Sequence, residues 1–78
     1  MSDPAQQAAA RAALSVASRD LETPVNDLTV LQVIRRRRTR TKIPFYYVTI
    51  TRPDGTRAFY QVSDDGQRVE PGGKLVRS

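Results

Sequence analysis

A proline-aspartate-glycine turn between two runs of alternating side chains constrains this chain more than any other feature. Pro53, Asp54 and Gly55 separate residues 43–52 from residues 56–63. Proline fits the second position of a type I turn, and aspartate bonds to its own turn backbone. Glycine tolerates the left-handed conformation that follows. The sequence therefore predicts a β-hairpin closed by a three-residue loop with a glycine bulge.

The length of this loop fixes the register of the hairpin. It pairs Arg52 with Thr56, and because side chains alternate along a strand, one face then carries Tyr46, Val48, Ile50, Ala58, Tyr60 and Val62. The opposite face carries Phe45, Tyr47, Thr49, Phe59 and Gln61. A register shifted by one residue would pair apolar with polar groups throughout. The first face is therefore predicted to be the buried one.

The N-terminal segment is predicted to be a helix that covers this face. Residues 5–21 contain neither glycine nor proline and are rich in alanine, the best helix former. Pro4 suits the first helical position after a cap at Ser2 or Asp3, and Pro24 ends the helix. Apolar side chains recur at helical spacing at Ala10, Leu14, Ala17 and Leu21, with Ala13 and Val16 beside them. We expect Ala10, Leu14 and Ala17 to pack on the hairpin.

Two further strands complete the predicted sheet. Residues 28–34 are rich in β-branched side chains, and their apolar groups on both faces predict a central strand, with a short helix as the alternative. A second turn at Asp64, Asp65 and Gly66 leads to a short strand around Val69. The expected fold is α+β, with an N-terminal helix packed on a three- to four-stranded antiparallel sheet. We expect one domain over residues 1–78, ordered from about residue 4 to 70, with a tail over residues 71–78.

An arginine run joins the first strand to the hairpin. Six of the eight residues from 35 to 42 are positive, in a chain of net charge +5: Arg35, Arg36, Arg37, Arg38, Arg40 and Lys42. Because like charges repel, the run predicts a solvated loop or a frayed strand end. Guanidinium groups also bind phosphates in a bidentate manner, so the run suits a nucleic-acid backbone as well as an acidic protein.

Aromatic rings are predicted beside this run, on the sheet face away from the helix. Phe45, Tyr47 and Phe59 alternate onto that face. Rings beside arginines suit a protein contact, base stacking on a single strand, or simple coverage of the sheet.

The leading interpretation is a non-enzymatic protein-interaction module that docks on an acidic protein surface or on a second copy. Its predicted partner-binding residues are Arg35, Arg36, Arg37, Arg38, Arg40, Lys42, Phe45, Tyr47 and Phe59. The alternative is a nucleic-acid-binding protein with broad sequence tolerance.

Catalytic and metal chemistry is not expected. The chain contains no cysteine and no histidine, which removes thiolate ligands, the commonest metal ligand and the usual general base. Asp54 and Asp65 occupy turn positions that aspartate favours for its own backbone bonding. No catalytic residue, metal site or cofactor is therefore predicted. No stretch is apolar for long enough to cross a bilayer, and a cytoplasmic location is expected.

The order of elements resembles that of small PepSY and cystatin-like domains. The resemblance rests on the alanine-rich helix followed by Tyr47 to Ile50, Asp54 to Thr56, Phe59 to Val62 and Asp65-Gly66. It covers about residues 8–69 and leaves out the arginine run. It implies a helix paired with an antiparallel sheet and a non-catalytic binding or regulatory module. It implies no particular partner and assigns no functional residue.

Overall fold

The computed structural model describes residues 4–73, which form one helix on one sheet. Its elements are the helix α1 (Pro4–Asp20), a 3-10 turn (Val25–Asp27) and the strands β1 (Thr29–Arg37), β2 (Pro44–Thr51), β3 (Arg57–Ser63) and β4 (Val69–Pro71). The strands pair in chain order, each antiparallel to the next. Helix α1 packs against one face of this sheet. The predicted α+β fold is confirmed, while the predicted cap at Ser2 or Asp3 and the end of the tail lie outside the described residues.

The β2–β3 hairpin has the predicted register. Its pairs include Ile50 with Ala58, Val48 with Tyr60 and Tyr46 with Val62. At the turn, the Arg52 amide donates to the Thr56 carbonyl over 2.8 Å, and Gly55 takes a left-handed φ of 91°. The turn length thus sets the pairing of both strands.

Asp54 stabilises this turn through its carboxylate. Its Oδ1 accepts a hydrogen bond of 2.9 Å from the Thr56 amide. That bond, together with the positive charge of Arg52, lowers the pKa of the Asp54 carboxyl. The aspartate therefore has the local structural role that the sequence predicts.

The core lies between α1 and the predicted inner face of the hairpin. All six inner side chains are at most 5% exposed: Tyr46, Val48, Ile50, Ala58, Tyr60 and Val62. From the helix side, the core receives Ala9, Ala13, Ala17 and Leu21. Large side chains come from the sheet and small ones from the helix, so the helix axis can approach the sheet closely.

The predicted helix stripe is confirmed at Ala17 and Leu21 but is rotated slightly in the N-terminal part of the helix. Ala9 and Ala13 are buried, whereas Ala10 is only half-buried and Leu14 is half-buried against the border of the core. The two buried tyrosines of the sheet already fill much of the interior volume. Methyl groups therefore face the sheet centre, and the larger Leu14 packs at the side.

The predicted central position of the first strand was also wrong, because β1 is an edge strand. Val30 and Val33 face inward opposite Ile50 and Val48. Between them the register shifts at a bulge, and Leu31 is 48% exposed. The bulge adds one residue to the strand, so apolar side chains reach both faces without burial on both.

The fourth strand continues past the predicted end of the ordered core at residue 70. Pro71 pairs with Tyr60, and the Gly72 amide donates to the Phe59 carbonyl over 2.8 Å. Residues 71–73 therefore belong to the folded sheet region.

Truncation of Ile50 tests the position of the core. Ile50 is fully buried, so Ile50→Ala should lower the free energy of unfolding by about 2–4 kcal/mol through lost burial and the cavity left behind. Ile43 is 55% exposed, so the matched change Ile43→Ala should cost less than about 0.5 kcal/mol. Urea denaturation measures both values, and equal losses would contradict the assigned inner face.

Tyr60 makes stability sensitive to alkaline pH. Its side chain is only 5% exposed, and its hydroxyl donates to Asp20 Oδ2 over 3.3 Å. Burial, followed by the negative charge of Asp20, raises the pKa of Tyr60 from 10.0 to about 12. Between these two values the unfolded chain loses the phenolic proton while the folded chain retains it. The corresponding contribution to stability is complete below pH 10 and is lost as pH rises toward 12.

Tyr60→Phe should therefore make the decline in stability between pH 10 and 12 shallower, although its baseline at neutral pH falls with the lost hydrogen bond. Urea denaturation at several alkaline pH values measures the slope. Tyr47→Phe serves as the control and should leave the Tyr60 contribution in place. A slope unchanged by Tyr60→Phe would contradict this assignment.

Candidate functional site

The arginine run divides into a strand end and a turn. Arg35, Arg36 and Arg37 belong to β1 and pair with residues of β2. The predicted loop is therefore shorter than the full run. It begins at Arg38, whose amide donates to the Ile43 carbonyl over 3.1 Å, and Lys42 takes a left-handed φ of 56°. All residues from 35 to 42 are exposed.

Because side chains alternate along a strand, the arginines of β1 lie on both faces of the sheet. Arg36 lies opposite Phe45 and therefore on the outer face, away from α1. Arg35 lies opposite the buried Tyr46, so Arg35 and Arg37 lie on the helix side, at the end of the strand. Positively charged side chains therefore lie on both faces of the sheet at the end of β1.

Arg38 differs from the rest of the run because it crosses the outer face of the sheet. Its guanidinium carbon lies 5.2 Å from the centroid of the Phe45 ring. Its Nη2 donates to Gln61 Oε1 over 3.3 Å and lies 3.7 Å from Glu70 Oε2. One side chain therefore links β2, β3 and β4.

The other members of the run form no ion pair within residues 4–73: Arg35, Arg36, Arg37, Arg40 and Lys42. Five cations within eight residues, without an ion-pair partner in residues 4–73, produce a strongly positive local potential. This group of five is called the free basic cluster below. Its side chains are exposed, whereas Arg38 is engaged within the sheet.

The predicted aromatic residues lie together on the outer face, and their rings are half-buried. The Tyr47 and Phe59 ring centroids are 6.1 Å apart with planes inclined by 35°. The Tyr47 hydroxyl donates to the Gly72 carbonyl over 2.7 Å. A Cβ at Gly72 would lie 3.1 Å from Cε2 of Tyr47, so the chain passes close to the edge of that ring. Arg38 lies over Phe45, and all three rings therefore have neighbours that reduce their exposed area.

The predicted partner-binding residues thus form two groups. The outer face brings together Arg36, Arg38, Phe45, Tyr47 and Phe59, while Arg35 and Arg37 lie on the helix side and Arg40 and Lys42 in the turn. Beside Arg38 lies a shallow groove of about 180 Å³, lined in part by Ile43, Phe45, Gln61 and Glu70. Sequence reasoning missed Gln61 and Glu70 as partners of Arg38. The position of Glu70 depends on how β4 pairs with β3, and the contact with Gln61 depends on where the Arg38 side chain lies after the end of β1.

The second aspartate turn has a structural role similar to that of the first. Asp65 Oδ1 accepts hydrogen bonds from the Ser63 hydroxyl and the Gln67 amide. These bonds, with that of Ser63 first, lower the pKa of Asp65. Within residues 4–73, no three acidic side chains lie close enough together to hold a metal ion. In the same range, no helix has the length and apolar character needed to cross a membrane.

Comparisons with protein-family models, with curated proteins and with solved structures found no match to this chain. The resemblance to PepSY and cystatin-like domains therefore stays a prediction.

Arg38 should contribute more to the stability of the fold than the residues of the free basic cluster do. Arg38→Ala should lower the free energy of unfolding by up to about 1 kcal/mol, since it loses the exposed Phe45 and Glu70 contacts. Arg40→Ala should change it by less than about 0.5 kcal/mol. In a double-mutant cycle by urea denaturation, Glu70→Gln should cost less when Arg38 is already absent. Additive losses would show that the two side chains act independently.

Proposed function

We propose that this protein is a non-enzymatic interaction module that docks on an acidic surface of a partner protein. The observation that carries this proposal is the free basic cluster, in which five exposed cations at the end of β1 and in the following turn have no internal counter-charge within residues 4–73. Complementary charge accelerates encounter and selects partners more than it increases affinity. The cluster therefore serves to recognise an acidic partner.

The outer sheet face extends this docking surface. Arg36 connects the free basic cluster to Phe45, Tyr47 and Phe59, whose rings keep part of their area exposed. Aromatic residues and arginine are enriched where proteins contact each other. Their half-buried positions hold the rings in fixed orientations, which lowers the entropy lost on binding.

Nucleic acid is the alternative partner, and the density of guanidinium groups supports it. Phosphate contacts would give broad sequence tolerance and an affinity that falls steeply with salt. Single-strand recognition also needs open ring faces on which bases stack. Here Arg38 lies over the Phe45 ring and occupies one of its faces, which favours a protein partner.

A second copy of the chain is a weaker candidate at the same surface. Two copies that met at their free basic clusters would bring five cations of each chain together without acids between them. The proposal therefore assigns an acidic partner of a different kind. It places the protein in the cytoplasm, a reducing compartment that suits a chain without cysteine.

Charge removal inside and outside the cluster tests the proposal. The triple variant Arg36→Gln, Arg37→Gln, Arg40→Gln should bind a fluorescent glutamate-rich peptide about tenfold more weakly, which corresponds to about 0.5 kcal/mol for each exposed pair. The control variant Arg11→Gln, Arg19→Gln, Arg57→Gln removes the same charge from other exposed positions and should change affinity less than about threefold. Fluorescence anisotropy at several salt concentrations measures both.

Equal losses for the two variants would show that net charge alone determines binding and would contradict a local site. Parallel titrations with single- and double-stranded DNA test the alternative. If DNA binds tightly at physiological salt and the glutamate-rich peptide fails to compete, nucleic acid is the partner. Loss of the cluster should then reduce the slope of log affinity against log salt by about 0.7–0.9 for each phosphate contact removed.

A further inference from the structure

The strand that carries the free basic cluster has an unpaired edge. β1 pairs with β2 on one side, and within residues 4–73 no strand pairs with its other side. An edge strand exposes N–H and C=O groups that can pair with an additional strand. The bulge at Leu31 interrupts the edge, so its regular part runs over residues 32–37.

The hydrogen bond at the start of the turn shows which backbone groups point outward. The Arg38 amide donates to Ile43 across the hairpin. In an antiparallel ladder the direction alternates, so Ile34 and Arg36 also direct their N–H and C=O groups toward β2. Val33, Arg35 and Arg37 direct theirs away from the sheet. These three residues form the backbone template of the free edge.

The side chains along this template specify the chemistry of an added strand. Residues 35–37 are arginines on alternate faces, and the preceding Val33 and Ile34 are half-buried apolar residues, also on alternate faces. A strand laid beside them would need carboxylates at consecutive positions opposite the arginines, because both faces are positive there. Next to these it would need apolar, β-branched residues opposite Val33 and Ile34.

We propose that β1 binds an extended acidic segment of a partner protein as a fifth strand of the sheet. This proposal rests on the proposed function and identifies the part of the partner that docks. Backbone pairing supplies affinity, and the carboxylates supply specificity. Nucleic acid offers negative charge but no strand backbone, and a second β1 offers a strand but the wrong charge.

Selective N-methylation of a probe peptide separates strand pairing from simple charge attraction. The probe is a labelled peptide with the sequence Ser-Glu-Glu-Glu-Val-Val-Thr-Ser, together with two derivatives. In an antiparallel alignment its glutamates lie opposite residues 35–37 and its valines opposite Ile34 and Val33. Each derivative carries N-methyl groups on one of the two alternate sets of amides, so sequence and charge are retained. In a paired strand only one set faces β1.

Strand addition predicts that one methylated derivative binds about tenfold more weakly or worse, because it loses two or more hydrogen bonds. The other should bind within about threefold of the unmodified peptide. When the protein binds the unmodified peptide, amide exchange should slow at Val33, Arg35 and Arg37 of the protein. Exchange at Arg36, whose amide already pairs with β2, should change little.

Three results would contradict strand addition. If both derivatives bind as tightly as the unmodified peptide and binding still depends on Arg36, Arg37 and Arg40, strand addition is overturned and the docking function stands. If the protein binds none of the three peptides at low salt, both proposals fail. If DNA binds tightly at physiological salt, the unmodified peptide fails to displace it, and DNA slows no amide exchange at Val33, Arg35 or Arg37, the site is a phosphate-binding surface and both proposals are again overturned.

Discussion

The close approach of α1 to the β2–β3 hairpin is the contact on which the rest of this structure depends. Alanine methyls at Ala9, Ala13 and Ala17 meet a face of large side chains that includes Tyr46 and Tyr60. In a chain of 78 residues this is the principal opportunity to exclude water from a core. Because the turn at Gly55 fixes the hairpin register, it also determines which side chains the helix can bury. Any change of register would exchange the inner face for the outer one.

In this arrangement α1 covers the inner face of the sheet, and the outer face is held by individual side-chain contacts. There the Tyr47 hydroxyl bonds to Gly72, and Arg38 links Phe45, Gln61 and Glu70. These contacts are exposed or half-buried, and each contributes about 1 kcal/mol or less. Their effect is geometric, since they hold the short strand β4 and the aromatic rings in defined positions. The side chains of the outer face are therefore held in defined positions while part of their area stays exposed to solvent.

The parts of the structure that could be predicted from the sequence are those determined by neighbouring residues. The turn chemistry at Pro53, Asp54 and Gly55 is local, and with the two-residue period of strands it predicts the hairpin register. The rotation of α1 could not be predicted, because a helix with so many alanines does not distinguish between adjacent apolar stripes. The edge position of β1 was missed because the bulge places Leu31 on the wrong face for simple alternation.

The candidate site shows the same division between local and long-range information. Its charge was evident from the sequence, as was the face on which Phe45, Tyr47 and Phe59 lie. The special role of Arg38 was not, since it depends on Glu70, which reaches it only through pairing of β4 with β3. Under the proposed function, arginine at the edge has two effects at once: it repels a second β1, as protective edge charges do, and it attracts a strand of opposite charge. In the proposed function, the feature that keeps the free protein from pairing with itself is therefore also the one that selects its partner.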